Sequence, residues 1–247
     1  MINRIIRESS IDYPGKFGPL IFTAGCNFKC SFCHNAQLNS ASDFLNEDDV
    51  INSIELKVKT GWYNGICISG GEPTIHRGLE DFIRRLKALG LSVKLDSNGT
   101  NPEILKKLLD EKLVDYVAMD IKGPRELYSE IVGVAVDMKK IEESIKILSA
   151  LPVEMYEFRT TIPFILKPYV RIISLDEVKA MVKWIYDLNG GKAKWYVQQF
   201  ISRHKEDMND ERLSTQVMPK ELHKTPDSIA EDIKKIIGES GFKSQIR

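Results

Sequence analysis

The chain has 247 residues and four cysteines, and its 35 Lys and Arg balance its 35 Asp and Glu. This balance excludes an overall basic surface for nucleic acid and an acidic solvating tail. No apolar run approaches membrane-spanning length and the first residues lack a secretion signal, so we expect a cytoplasmic protein with no membrane partner. We expect a single domain over residues 1–247, with its core at about residues 15–200.

Short β-branched or aromatic runs alternate with longer helical stretches along the chain, and these runs predict strands. The predicted strands are Pro19–Thr23, Gly65–Ser69, Leu91–Asp96, Asp115–Ile121, Glu154–Thr161 and Lys194–Phe200. Repeated strand-then-helix units imply parallel strands with right-handed crossovers, so we predict an α/β fold with outer helices. Alternation alone leaves open whether the sheet is open or bent into a partial barrel.

Capping residues predict where several helices begin and end. The acids Glu47-Asp48-Asp49 suit a helix N-terminus, and Gly90 ends the helix before the third strand. Pro102 suits a first helical position. Ser174 and Glu177 have the spacing of a capping box, which predicts that a helix begins there.

The C-terminal part of the chain, about residues 201–247, is expected to be a loop and a helical extension. Residues 202–225 are rich in charge and lack periodicity, which predicts a mobile loop. The last helix is predicted to start near Pro226 and run to Ile237, ended by Gly238.

Three cysteines follow the first predicted strand in a Cys-x₃-Cys-x₂-Cys pattern: Cys26, Cys30 and Cys33. Three thiolates on one loop can hold an iron–sulfur cluster, and a four-iron cubane would keep one iron without a protein ligand. The alternatives are a structural zinc site, with His34 or Cys67 as fourth ligand, or three free structural thiols. Three ligands in a row, rather than two separated pairs, count against zinc.

Polar motifs follow the later strands, where parallel α/β folds place their active residues. They are Gly70-Gly71-Glu72-Pro73, Asp96-Ser97-Asn98-Gly99, Asp120-Ile121-Lys122 and, late in the fifth strand, Arg159. Taken one by one, the first two are compatible with tight turns, the third with a surface ion pair and Arg159 with an ion pair at the core edge. Their shared position after successive strands favours a common site.

The cysteine spacing, the aromatic Phe32 before the third cysteine, and the trailing His34-Asn35 resemble the radical S-adenosylmethionine superfamily. The resemblance implies a partial (β/α)₆ barrel that holds a [4Fe–4S] cluster on Cys26, Cys30 and Cys33. In that superfamily the open iron chelates S-adenosylmethionine, and one electron from the cluster cleaves it to a 5′-deoxyadenosyl radical.

Asp96-Ser97-Asn98-Gly99 and Asp120-Ile121-Lys122 further resemble motifs of glycyl-radical enzyme activating enzymes. The segments Ser10–Gly15 and Val114–Pro124 are similar to those of activating proteins for anaerobic ribonucleoside-triphosphate reductase. This resemblance implies a glycyl-radical partner protein, the anaerobic ribonucleotide reductase, and flavodoxin or ferredoxin as electron donor. Because Cys67 is the only cysteine left over, a second cubane is not expected.

The resemblance also implies a role for each motif residue, with no catalytic residue beyond the cluster and the cofactor. Phe32 would lie near adenine, the Gly70-Gly71-Glu72 segment near the methionyl amino group, and Asn98 near the ribose. Asp96 and Asp120 would flank the methionyl end and a monovalent cation. Lys122 would face the cofactor carboxylate, with Arg159 as a second cation nearby. The implied cofactor-binding residues are Phe32, Gly70, Gly71, Glu72, Asp96, Ser97, Asn98, Asp120, Lys122 and Arg159.

Two other functions stay open at this point. A radical enzyme that modifies a small molecule or tRNA would share every motif up to Lys122, because those residues serve the cofactor. A non-catalytic metal-binding module is the second. The segment Lys192–Tyr196 mixes basic and aromatic residues, but it is interpreted as an ordinary strand, and nucleic acid is not an expected partner.

Overall fold

A computed structural model of the chain describes residues 1–167, 169–203, 211–213, 217–218 and 220–247. The chain forms two compact units, the first made of Met1–Asn27 and Leu38–Ala118, the second of Phe28–Gln37 and Met119–Arg247. Of the loop predicted at residues 202–225, residues 204–210, 214–216 and 219 lie outside the described residues. In the described ranges, none of the helices combines the length and apolar character needed to cross a membrane.

The first unit contains parallel strands joined by helices. Its strands are β1 (Ile2–Ser9), β2 (Gly18–Thr23), β3 (Gly65–Gly70), β4 (Ser92–Ser97) and the start of β5 (Tyr116–Asp120). Its helices are α1 (Glu47–Lys59), α2 (Leu79–Ala88) and α3 (Pro102–Asp110). β1 is antiparallel to β2, whereas β2, β3 and β4 pair in parallel. The amide of Asp115 donates to the carbonyl of Val93 at 2.9 Å, so the chain enters β5 beside β4.

The second unit repeats this plan and adds a hairpin. Its strands are the end of β5, β6 (Tyr156–Thr161), β7 (Phe164–Ile165), β8 (Arg171–Ile172), β9 (Lys194–Gln198) and β10 (Lys243–Ile246). Its helices are α4 (Tyr128–Val132), α5 (Met138–Ser149), α6 (Leu175–Asn189) and α7 (Asp227–Glu239). β6, β9 and β10 pair in parallel, β7 and β8 are antiparallel, and α7 packs on β9 and β10.

The predicted α/β fold, with mostly parallel strands and outer helices, is confirmed, and a strand is present at each predicted position. β1, β10 and the β7–β8 hairpin were not predicted. Four of the eight residues of β1 are exposed, β7 and β8 have two residues each, and β10 has four residues of which none is buried, so none of these strands shows a long buried apolar run. The C-terminal extension therefore contains a strand as well as the predicted helix.

The predicted helix starts are confirmed by their caps. Asn46 accepts hydrogen bonds from the first amides of α1, and α3 begins at Pro102. Ser174 and Glu177 form the reciprocal capping box of α6. The predicted end of the last helix was wrong, because α7 continues through Gly238 to Glu239, and the left-handed turn lies at Gly241.

Candidate active site

The cysteine loop follows the carboxyl end of β2. Cys26 belongs to the first unit, and Cys30 and Cys33 belong to the second, where the Cys33 amide donates to the Cys30 carbonyl at 3.2 Å. None of these three cysteines forms a disulfide; Cys30 is buried and the others are half-buried. Within the described residues, no three His, Cys, Asp or Glu side chains are grouped to hold a metal ion. The donor set itself, three soft thiols on one loop, fits an iron–sulfur cluster.

In the first unit, Cys26 is held by contacts with the loop after β4. The side-chain amide of Asn98 donates to the Cys26 sulfur at 3.9 Å and to the Asn27 side-chain oxygen at 2.8 Å. The Gly25 amide donates to the Leu38 carbonyl at 2.8 Å, which fixes the start of the loop. Asn98, predicted to lie near ribose, is thus a neighbour of the first cysteine.

The two glycines after β3 allow a close approach of backbone that no other residue would permit. Gly70 has φ of +121°, and a Cβ there would lie 2.3 Å from the Thr23 amide nitrogen. A Cβ on Gly71 would lie 1.8 Å from the Gly25 carbonyl oxygen. The predicted Gly-Gly motif therefore packs directly against the segment that leads into the cysteine loop.

Glu72 is buried, and both of its carboxylate oxygens accept hydrogen bonds from its own unit. Oε1 accepts from the Thr74 amide at 3.1 Å, the Thr74 hydroxyl at 2.5 Å and the Ser97 hydroxyl at 2.9 Å. Oε2 accepts from the Asn98 amide at 2.6 Å. Burial raises the pKa of Glu72, although these hydrogen bonds oppose the shift. The carboxylate joins the loop after β3 to the loop after β4.

Asp96 forms an ion pair with Lys94, a residue that the sequence analysis did not single out. The side chain of Lys94 is 1% exposed and that of Asp96 is 13% exposed. The Lys94 ammonium also lies 3.6 Å from the Cys67 sulfur, and Cys67 shares a buried cluster with Leu20 and Phe22. A lysine between the two apolar residues Val93 and Leu95, two residues before an aspartate and on the same face of the strand, was the available signal.

In the second unit, Asp120 is paired with two cations. The Lys122 ammonium lies 2.9 Å from one carboxylate oxygen, and the Arg159 Nε lies 3.3 Å from the other. Burial lowers the pKa of Lys122, but the charges of Asp120 and Cys30 outweigh burial and raise it overall. The Ile121 amide donates to the Arg159 carbonyl at 2.8 Å, so β5 ends beside β6. The structure thus brings these three predicted site residues together.

Phe32 and His34 lie on the same loop in the second unit. Phe32 is buried. The His34 ring stacks on Phe200, with 5.8 Å between centroids, and its Nε2 accepts from the Ile201 amide at 3.5 Å. Burial, assisted by the charge of Arg203, lowers the pKa of His34 and favours the neutral ring. His34 is therefore engaged in contacts of its own unit.

A cleft of about 660 Å³ opens in the second unit, beside the cysteine loop. Lys29 and Ser31 line one side, and the segment that includes Gly133 and Val134 lines another. Lys167 and Arg212 add positive charge, and Glu130 adds negative charge. The cleft borders the loop that carries Cys30, with more basic than acidic side chains on its walls.

Comparison with known families identifies the superfamily. Residues 20–167 match the Radical SAM superfamily. The chain belongs to this superfamily. It therefore uses a [4Fe–4S] cluster and S-adenosylmethionine, and its reaction is radical chemistry that starts with cleavage of S-adenosylmethionine.

The chain is similar to two curated proteins, among others. It is 32% identical, over 90% of its length and 87% of the relative, to "Putative glycyl-radical enzyme activating enzyme MJ1227" of Methanocaldococcus jannaschii. It is 27% identical to a "Probable GTP 3',8-cyclase" of Thermococcus kodakarensis, over 54% of this chain and 45% of that protein.

One similar solved structure is Streptococcus suis SuiB bound to S-adenosylmethionine. It superposes with a TM-score of 0.60 at 15% identity, over 92% of this chain and 49% of SuiB. The chain thus spans about half the length of SuiB, and this likeness supports the fold alone.

Proposed function

We propose that the protein is an activating enzyme that installs a glycyl radical on a partner enzyme, the anaerobic ribonucleotide reductase. The observation that carries this proposal is the similarity to the Methanocaldococcus jannaschii activating-enzyme relative over most of both chains. That similarity extends beyond the residues matched by the superfamily. It therefore includes parts of the chain that lie outside the shared cofactor-binding region.

When bound, the cluster and S-adenosylmethionine would supply the radical chemistry that removes a hydrogen atom from the α-carbon of a glycine. Glycine suits this step because no side chain blocks its α-carbon. The residues of this chain bind and orient the cofactor. Cys26, Cys30 and Cys33 would hold the cluster, the backbone at Gly70-Gly71 would face the methionyl amino group, and Lys122 would face the carboxylate.

The cleft beside the cysteine loop is the docking site that we assign to the glycine-bearing segment of the partner. Its volume of about 660 Å³ is within the range of pockets that bury a drug-sized ligand, so it can receive a short stretch of the partner chain. Lys29, Lys167 and Arg212 outnumber Glu130 on its walls, so the docking segment is expected to carry acidic side chains.

The experiment combines the anaerobically reconstituted protein with S-adenosylmethionine, dithionite and the candidate reductase. A glycyl doublet in the electron paramagnetic resonance spectrum is the expected result. The control is Cys30→Ala, which should lose both the cluster absorbance and S-adenosylmethionine cleavage. Cleavage by the unaltered protein without a doublet, with the reductase intact, would rule out this partner.

A charge reversal at Lys167 tests the docking site. Lys167→Glu should decrease the yield of glycyl radical about tenfold while leaving S-adenosylmethionine cleavage without partner unchanged, because Lys167 lies on the cleft wall. Lys235→Glu, on the exposed face of α7, is the matched control and should have no effect. Equal yields for both variants would place docking elsewhere.

The same pair of variants separates partner docking from electron-donor docking. Dithionite needs no protein docking site, so a lower yield of glycyl radical with dithionite means that docking of the partner is impaired. A loss seen only when flavodoxin or ferredoxin replaces dithionite would instead assign the cleft to the electron donor.

A radical enzyme for a small molecule is the second candidate, favoured by the similarity to the Thermococcus kodakarensis cyclase. That similarity covers about half of each chain, so it supports the second candidate less than the nearly full-length match supports the first. S-adenosylmethionine cleavage stimulated by a nucleotide such as GTP, without a glycyl signal from any partner, would favour the small-molecule enzyme.

A further inference from the structure

We propose that the ammonium group of Lys94 takes the place of the monovalent cation expected beside Asp96, so that this chain binds S-adenosylmethionine without Na⁺ or K⁺. The inference concerns only cofactor binding, which follows from membership of the superfamily. It does not depend on the identity of the partner.

The geometry begins with a lysine inside the first unit. Lys94 is 1% exposed, and its ammonium pairs with a carboxylate oxygen of Asp96. Its neighbour on β3 is Cys67, the residue opposite it in the parallel register. A buried ammonium is costly unless it has a charged partner, so Lys94 is held at Asp96.

This pair does not fit an added cation. A metal cation needs the negative charge of Asp96, and that charge is already balanced by Lys94 at contact distance. A second positive charge at the same carboxylate would be repelled by the ammonium in a site with little water. The buried pair therefore already provides the charge that a bound Na⁺ or K⁺ would supply.

The hydroxyl oxygen of Ser97, the next residue along the chain, also takes part in hydrogen bonds. The Ser97 hydroxyl donates to Glu72 Oε1 at 2.9 Å and accepts from the Gly99 amide at 3.1 Å. A cation ligand must direct a lone pair to the metal; this hydroxyl has one lone pair left, and its orientation is fixed by Glu72 in the loop after β3 and by the Gly99 amide in its own turn.

Asp120, in the second unit, is also paired with cationic side chains of the protein. Asp120 lies 2.9 Å from the Lys122 ammonium and 3.3 Å from Arg159 Nε. Each of the two carboxylates predicted to flank a monovalent cation is thus paired, within its own unit, with a cationic side chain of the protein.

The first test uses the unaltered holoprotein. Its dissociation constant for S-adenosylmethionine is measured by anaerobic equilibrium dialysis in NaCl, KCl or choline chloride at equal ionic strength. The expected values agree within about twofold. Binding that is tenfold or more tighter in NaCl or KCl than in choline chloride would overturn the proposal.

The second test removes the ammonium. Lys94→Ala should bind S-adenosylmethionine about tenfold more weakly in choline chloride, and NaCl or KCl should restore binding in a saturable manner, because Asp96 then lacks its partner. Lys87→Ala is the control, because it breaks another lysine–aspartate pair of the same unit, in which the Lys87 ammonium lies 2.7 Å from a carboxylate oxygen of Asp115. It should bind equally in all three salts.

Broadening of the ²³Na resonance gives a readout without the cofactor. Lys94→Ala should broaden the ²³Na line, whereas the unaltered protein and Lys87→Ala should not. A Lys94→Ala protein that binds S-adenosylmethionine like the unaltered protein in choline chloride would contradict the proposal. If Lys94→Ala does not fold, the comparison of salts with the unaltered protein decides alone.

Discussion

The buried carboxylate of Glu72 in the first unit and the charged group around Asp120 in the second stabilise their loops in different ways. Glu72 is 1% exposed and accepts hydrogen bonds from Thr74, Ser97 and Asn98. Asp120 is 27% exposed and is matched by the long side chains of Lys122 and Arg159. Glu72 therefore stabilises the backbone of its unit, whereas Lys122 and Arg159 are long cationic side chains that can also face a charged ligand.

The largest expected effect is loss of stability on changing Glu72. In Glu72→Gln, the amide group that replaces Oε2 would face the Asn98 amide, so two donors would meet in a buried site. We expect the free energy of unfolding to fall by about 1–3 kcal/mol, measured by urea denaturation of the metal-free protein.

Ser97→Ala is the graded control for this change. It removes one donor to Oε1 and one acceptor of the Gly99 amide but leaves the Asn98 contact intact, so a smaller loss of about 1 kcal/mol is expected. If Ser97→Ala were as destabilising as Glu72→Gln, the carboxylate would not be the group on which these loops depend.

An intermediate effect, on binding rather than stability, is expected for Lys122. Lys122→Met should weaken S-adenosylmethionine binding about tenfold and lower the free energy of unfolding by less than about 2 kcal/mol, because Arg159 still balances Asp120. Dialysis and urea denaturation measure the two quantities on the same sample. A variant that loses stability but binds normally would place Lys122 with Glu72 as a structural residue.

The pH dependence of this effect has a defined sign. The charge of Asp120 raises the pKa of Lys122 above that of a free lysine, so the stabilisation is complete below the unfolded value of about 10.4 and is lost only above it. The difference between the unaltered protein and Lys122→Met should therefore be constant from about pH 6 to 9. A difference that changes within this range would assign the effect to another group.

The smallest effect is expected at the half-buried charge pair of Arg171 and Glu177 at the start of α6. Arg171 donates two hydrogen bonds to Glu177, at 2.7 and 2.8 Å, and lowers the pKa of Glu177 to about 2. A lowered folded pKa means that the stabilisation is present above about pH 4.3 and is lost as the pH falls toward 2. Glu177→Gln should cost less than about 1 kcal/mol at pH 7, with no change in S-adenosylmethionine binding.

The acid dependence is measured by thermal unfolding between pH 2 and 7. The difference between Glu177→Gln and the unaltered protein should shrink as the pH falls below about 4.3. A difference that persists at pH 2 would mean that the pair contributes through packing of Arg171 rather than through charge.

Local spacing in the sequence was enough to predict the longer buried strands and the helix starts, and the family resemblance that the cysteine spacing carries predicted the class of chemistry. The Cys-x₃-Cys-x₂-Cys pattern, the order of the strands and the capping box at Ser174 and Glu177 depend on residues close together in the chain. Parallel strands then require that the motifs after β3, β4 and β5 lie at strand ends. Short or exposed strands such as β1 and β10 lack such a local signal, and the sequence analysis missed them.

The α/β fold and the superfamily could thus be predicted from the order of the residues, as could the position of the candidate site motifs after successive strands. The contact that each polar side chain makes could be read only from the folded chain. Glu72 reaches Ser97, 25 residues away, and Lys94 faces Cys67, 27 residues away. Such pairs depend on strand register and burial, because a buried charge must find its partner among neighbours that chain spacing does not specify.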